Sequence, residues 1–223
     1  MPSCHDIASD ALDRYNGPGI ARAIVNLVPG GSSVDVLLTA AMETKFKTRM
    51  AQLVTEVSNR VDALDQDLVD AEFVRSEEFQ TLLIRALEAM KTTHQRDKLA
   101  AFANVLVCCT LKANSDDVQK ERYLLLLNEL TSVHIAVLSQ FREREAQLKK
   151  PNSQPILCAG DMAAQLGMNE SDVEAFLSDL AARGLVYDAM LGSGEYRRGN
   201  YRLHNSANRF IDYLFTEWPA MPE

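Results

Sequence analysis

The 223-residue sequence predicts a mainly α chain of two domains: a helical bundle built on one long helix over residues 1–128, and a domain of short helices with a small two-stranded wing over 129–223. Three observations carry this. Apolar residues recur at steps of three and four through the first half, with no alternating strand pattern and no internal repeat. After Leu130, caps and glycine stops divide the chain into short pieces. Near the end, two β-prone segments, Leu185-Val186-Tyr187 and Tyr201-Arg202-Leu203, flank the turn-rich stretch Gly192-Ser193-Gly194-Glu195-Tyr196-Arg197-Arg198-Gly199 and precede a last apolar helix.

Composition supports burial of a core in each half. With 47% hydrophobic and 24% charged residues, 10 Gly and 7 Pro, the chain is neither disordered, collagen-like nor a disulfide-dense miniprotein. Cys4, Cys108, Cys109 and Cys158 form no CxxC pair, and joining the adjacent Cys108 and Cys109 inside a helix strains the backbone, so reduced thiols and a cytoplasmic location are expected. The opening MPSCHDIASD lacks the basic and apolar regions of a signal peptide, and no run of about 18 apolar residues occurs, so no membrane span is expected.

Element by element, Gly17-Pro18-Gly19 and Pro29-Gly30-Gly31 bracket a short apolar helix, Ile20 to Val28. Ser32 or Ser33 then caps a helix with apolar residues at Val34, Leu37, Leu38, Ala41, Met42, Phe46, Met50, Leu53, Val54, Val57, Val61, Leu64 and Leu68. That spacing predicts one helix of about 35 residues, longer than ~50 Å. A small domain is only ~30 Å across, so the overhang is expected to pair in a homodimer through Phe46, Met50, Leu53, Val57 and Leu64. Ser76 with Glu77 and Glu78 opens the next helix, whose apolar face is Phe79, Leu82, Leu83, Ala86, Leu87 and Met90. A third runs from near Gln95 to Leu111, and Asn114-Ser115-Asp116-Asp117 turns the chain into a fourth through Tyr123, Leu124, Leu126 and Leu127.

In the second half Thr131 caps a short helix carrying Val133, Ile135, Ala136, Leu138 and Phe141, followed by the polar stretch Arg142 to Asn152, a charged helix end or a loop. Gly160 to Met168 forms a short helix ended by Gly167. Asn169-Glu170-Ser171 restarts the chain into a helix reaching Arg183, which Gly184 stops in the manner of a C′ glycine. The final helix holds Ala207, Phe210, Ile211, Leu214 and Phe215.

Over residues 130 to about 217, this order resembles a winged helix-turn-helix, most specifically at Leu180-Ala181-Ala182-Arg183-Gly184-Leu185-Val186 and Tyr201-Arg202-Leu203-His204-Asn205-Ser206-Ala207. The resemblance implies a fold that serves protein contacts as often as DNA contacts. Lys98 to Leu106, with Tyr123 to Leu138, is also similar to bacterial abortive-infection "alpha" proteins. That resemblance implies a part in phage resistance. The chain departs from that pattern in its tryptophan, which is Trp218 at the far end.

The chemistry is sparse. In a DNA reader the helix after the turn places basic or amide side chains at its start. This one offers Asn169, Glu170, Ser171, Asp172 and Glu174, then Ser178 and Asp179, and its carboxylates repel phosphate. The wing differs: Arg197, Arg198 and Arg202 with Tyr196 and Tyr201 suit either phosphates or an acidic protein partner. Net charge is −8 overall, −5 before residue 130 and −3 after it, so neither half is basic. The Ile20–Val28 helix covers about 14 Å and cannot cross a ~30 Å hydrocarbon core, so a bundle helix is favoured over a membrane-active hairpin. Asp62, Asp65, Asp67, Asp70 and Glu72 lack the glycine and closing Glu of a calcium loop and read as a solvated helix end. His5, His94, His134 and His204 lack partners at zinc-ligand spacing, and no phosphate loop or nucleophile elbow occurs. No metal, cofactor or catalytic residue is expected. The sequence points to a non-catalytic adaptor or effector in bacterial anti-phage defence with an unidentified protein partner. A DNA-binding regulator and a membrane-active toxin stand as alternatives.

Overall fold

The computed structural model describes residues 44–90, 96–148, 155–189 and 199–216. They are mainly helical with a small three-stranded antiparallel sheet, and divide into two compact units, 44–129 with Thr216 and 130–215.

The first unit begins with α1 (Thr44–Ala63). Leu53, Val57 and Val61 are fully buried on the face that packs against α4, while Arg60 pairs with Glu56 and donates to Asn104 on that helix. The expected 35-residue helix is corrected at its far end: α1 stops at Ala63, short of Leu64 and Leu68. Two aspartates explain the stop. Asp65 caps the 3-10 turn Gln66–Leu68 by accepting from the Asp67 amide, and Asp70 caps α2 (Ala71–Val74) by accepting from the Phe73 amide at 2.9 Å. Such side chains offer the backbone an alternative to helix. Asp70 N–H also donates to Thr110 O at 2.8 Å beside the isolated bridge Val69–Leu111, which holds the turn against the end of α4.

Ser76 caps α3 (Glu77–Ala89), accepting from Phe79 N–H at 3.2 Å, and Glu77 and Glu78 stand in its first turn, where the helix dipole favours acids. Phe79, Leu82, Leu83, Ala86 and Leu87 form its buried face. In α4 (Arg96–Cys109), Phe102, Ala103, Val105, Leu106 and Val107 are fully buried. Cys108 and Cys109 are core residues as expected, and burial pushes the Cys109 thiol far above the ordinary range. After the 3-10 turn Lys112–Asn114, Asp117 accepts from Gln119 N–H at 2.9 Å and starts α5 (Lys120–Glu129). Two lysines are buried with their amines occupied. Lys120 Nζ donates to Ser115 O at 3.0 Å and lies 3.8 Å over the Phe73 ring. Lys98 Nζ donates to Asn128 O at 2.8 Å near the end of α5, and burial lowers its proton affinity.

The second unit starts with α6 (Ser132–Gln147), capped by Thr131 and continuing through the charged stretch to Gln147, with Arg142 reaching Asp212 at 3.2 Å. β1 (Leu157–Cys158) leads directly into α7 (Ala159–Leu166), which Gly167 ends at φ 64°. α8 (Glu170–Ala182) ends at Arg183, with Gly184 at φ 71°. β2 (Val186–Asp188), β3 (Asn200–Leu203) and α9 (Asn205–Phe215) complete the unit. The expected two-stranded wing is corrected to a sheet of three in the order β1-β3-β2, with Leu157 opposite Tyr201, Cys158 opposite Asn200, Val186 opposite Leu203 and Tyr187 opposite Arg202. A two-residue strand has no alternation to read. Val186 and Leu203 face a core shared with Leu177, Leu180, Phe210, Ile211, Leu138 and Phe141.

Candidate functional site

Of the residues expected to form a dimer seam, Leu53 and Val57 are fully buried within this one chain, and Met50 is half-buried on the same helix. Leu64 lies past the end of α1. The side chain of Phe46 and the start of the expected helix, 32–43, lie outside the described residues. The 20 described residues of α1 span about 30 Å, the helix does not continue past Ala63, and Leu53 and Val57 pack toward α4.

Wing residues Tyr196, Arg197 and Arg198 lie outside the described residues, as do Ile20 to Val28, Cys4, His5, His94 and Trp218. Arg202 is described. It sits on β3 directly opposite Tyr187, on the sheet face away from the Val186–Leu203 core pair.

On α8 the side turned to solvent carries Glu170, Ser171, Asp172, Ala175, Ser178 and Ala182. Glu170 and Asp172 occupy the first turn, and Asn169 turns its amide to Asp172 Oδ2 at 3.2 Å. The sequence therefore places its acids where a groove-reading helix would meet phosphate.

The inner side of α8 meets a histidine of α6. His134, at the third position of α6, is buried. Its Nδ1 accepts from Thr131 N–H at 3.1 Å and lies 2.9 Å from Thr131 Oγ1, while Thr131 Oγ1 accepts from His134 N–H, a reciprocal capping box. With Nδ1 accepting, the neutral ring carries its proton on Nε2, which lies 3.0 Å from Asp179 Oδ2. The carboxylate oxygen is off the N–H axis, so this is a close polar contact rather than a linear hydrogen bond. Phe176 meets the imidazole edge-on, with centroids 4.9 Å apart, and Arg183 reaches both Asp179 oxygens at 3.4 Å. The group fastens α6 to α8. The spacing Thr131-x-x-His134 was a local signal for the cap, but Asp179, on the next helix but one, had none.

His204 caps α9 through Nδ1, which accepts from Ser206 N–H at 3.3 Å and stands 2.8 Å from Ser206 Oγ, and its ring meets Tyr187 edge-on at 6.3 Å. In the first unit, a groove of about 560 Å³ lies between α3 and α5, with Ile84, Ala89, Leu124 and Leu125 among its walls and Arg85 held by Glu121 at 2.7 Å.

Asp65 and Asp70 are caps rather than ligands, and among the described residues no group of three or more His, Cys, Asp or Glu is placed to hold a metal ion. No described helix is long and apolar enough to cross a membrane. Comparison of the chain with protein-family models, with curated proteins and with solved structures found no match.

Proposed function

We propose that residues 130–215 form a winged helix that works through protein contacts, and that the protein is a non-catalytic adaptor or effector. The order α6-β1-α7-α8-β2-β3-α9, with glycine stops after α7 and α8, supports the winged-helix reading. The acidic, solvent-facing start of α8 carries the functional one: Glu170 and Asp172 stand where DNA contact needs donors and cations. The likeness of Lys98–Leu106 and Tyr123–Leu138 to abortive-infection alpha proteins supports a place in bacterial phage defence.

The test has two arms. Fluorescence anisotropy with a labelled DNA duplex at low ionic strength is expected to show no saturable binding. A photoreactive amino acid in place of the exposed Ala175 is expected to yield a discrete protein adduct in cells, lost in Asp172→Lys. Sequence-selective duplex binding that collapses in the Arg197→Ala, Arg198→Ala double variant would establish the DNA-binding regulator instead. That second reading draws on Arg202, a cation on the sheet that follows Arg197 and Arg198 closely in the sequence.

A further inference from the structure

We propose that the outer face of the three-stranded sheet is a binding site for an acidic peptide segment carrying apolar side chains, with Arg202 as the carboxylate anchor. This rests on the reading of the second unit as a protein-contact module and names the chemistry of its partner.

Arg202 is half-buried. Its Nε is hidden from solvent and meets no hydrogen-bond acceptor, and among the described residues the guanidinium has no ion-pair partner. A partly desolvated cation without a counter-ion is costly, and a carboxylate supplies one in the planar geometry that guanidinium favours.

The flanks of Arg202 are apolar and open. Tyr187 stands directly across on β2 and is 38% exposed. On the other side, the register that pairs Leu157 with Tyr201 and Cys158 with Asn200 continues to set Ile156 opposite Arg202, and Ile156 is 44% exposed. Exposed large apolar side chains are few among the described residues, and two of them bracket this unpaired arginine. His204, edge-on to Tyr187, extends the row. An apolar, cationic, apolar row complements a peptide that alternates carboxylate and apolar side chains along an extended backbone.

A nucleic acid fits less well. Tyr187 offers a base a stacking surface, but Ile156 does not, and the acids that open α8 in the same unit repel a phosphate chain.

The test uses the full chain and a fluorescein-labelled Glu-Leu-Asp-Phe-Glu-Leu peptide, its Gln/Asn counterpart, and a single-stranded oligodeoxynucleotide. Saturable binding of the acidic peptide alone is expected, weakened roughly tenfold or more in Arg202→Ala, less in Arg202→Lys, and several-fold in Tyr187→Ala or Ile156→Ala. Amide shifts on titration should gather at Tyr187, Arg202 and His204, away from α8, and the far-ultraviolet spectra and melting temperatures of the variants should match the parent. No peptide binding, or unchanged affinity in a folded Arg202→Ala, overturns the proposal. Arg202-dependent binding of the oligonucleotide in preference to the peptide overturns it in favour of nucleic acid. The Ala175 adduct separates the two readings. An adduct without peptide binding removes the site and leaves the contact function, and peptide binding without any adduct keeps the site and moves the contact surface from α8 to the sheet.

Discussion

Between α1 and α4 the first unit joins its elements by an apolar face with Leu53, Val57, Val61, Phe102 and Leu106 fully buried, whereas the second unit adds to its apolar core a polar fastening of α6 to α8 through His134, Asp179 and Arg183. The apolar face is tolerant of geometry, because dispersion and hydrophobic burial have little direction. The polar fastening is not, since a misplaced imidazole leaves the Thr131 amide without its acceptor. The difference teaches where each unit is vulnerable: the first to loss of volume, the second to loss of a specific atom.

The sharpest way to break this comparison is Phe102→Ala. Removing a fully buried ring from α4 should cost about 3–5 kcal/mol, read as a lowered urea midpoint with early exchange of α4 amides. A cost near zero would show that α4 is not the centre of that core. Next is His134→Ala, which removes the acceptor for Thr131 N–H, the Asp179 contact and the Phe176 edge together. A loss of about 1–3 kcal/mol is expected, and Thr131→Ala alone should cost about 1 kcal/mol. Because the two residues share one capping box, the double variant should cost less than the sum of the singles. Strict additivity in denaturant melts would mean that the imidazole works only through α8. Smallest is Gly184→Ala, about 1 kcal/mol. An added Cβ meets nothing within 4 Å, so the left-handed φ of 71° is the whole of the cost, and Gly184→Asn should recover part of it. Equal stability of the two variants would place the cost elsewhere.

Features set by neighbouring residues were legible in the sequence. Ser76, Thr131, Gly167 and Gly184 act within a turn of themselves, and the helices they bound were read to within a few residues. The acidic start of α8 was legible for the same reason. Misreadings arose where local signals competed. Leu64 and Leu68 continue the helical spacing of α1, yet Asp65 and Asp70 take the backbone amides first and end it. What depends on distant partners was not legible. The packing that buries Leu53 and Val57 depends on α4, and β1 exists because β3 is beside it. Arg202 was named from its charge, but its bare Nε and its flanks, Ile156 and Tyr187, come from the register of the sheet.

The ammonium of Lys120, 2% exposed above the Phe73 ring and held by Ser115 O, gives the first unit a chemical clock. Acylating reagents need a free, solvated amine. Lys112, on the exposed turn before α5, should be modified at the rate of an ordinary surface lysine, while Lys120 should wait for its helix to come away from Phe73. The ratio of the two rates, read peptide by peptide in one mass spectrum, counts how often that part of the protein opens under native conditions, with no denaturant and no engineered probe.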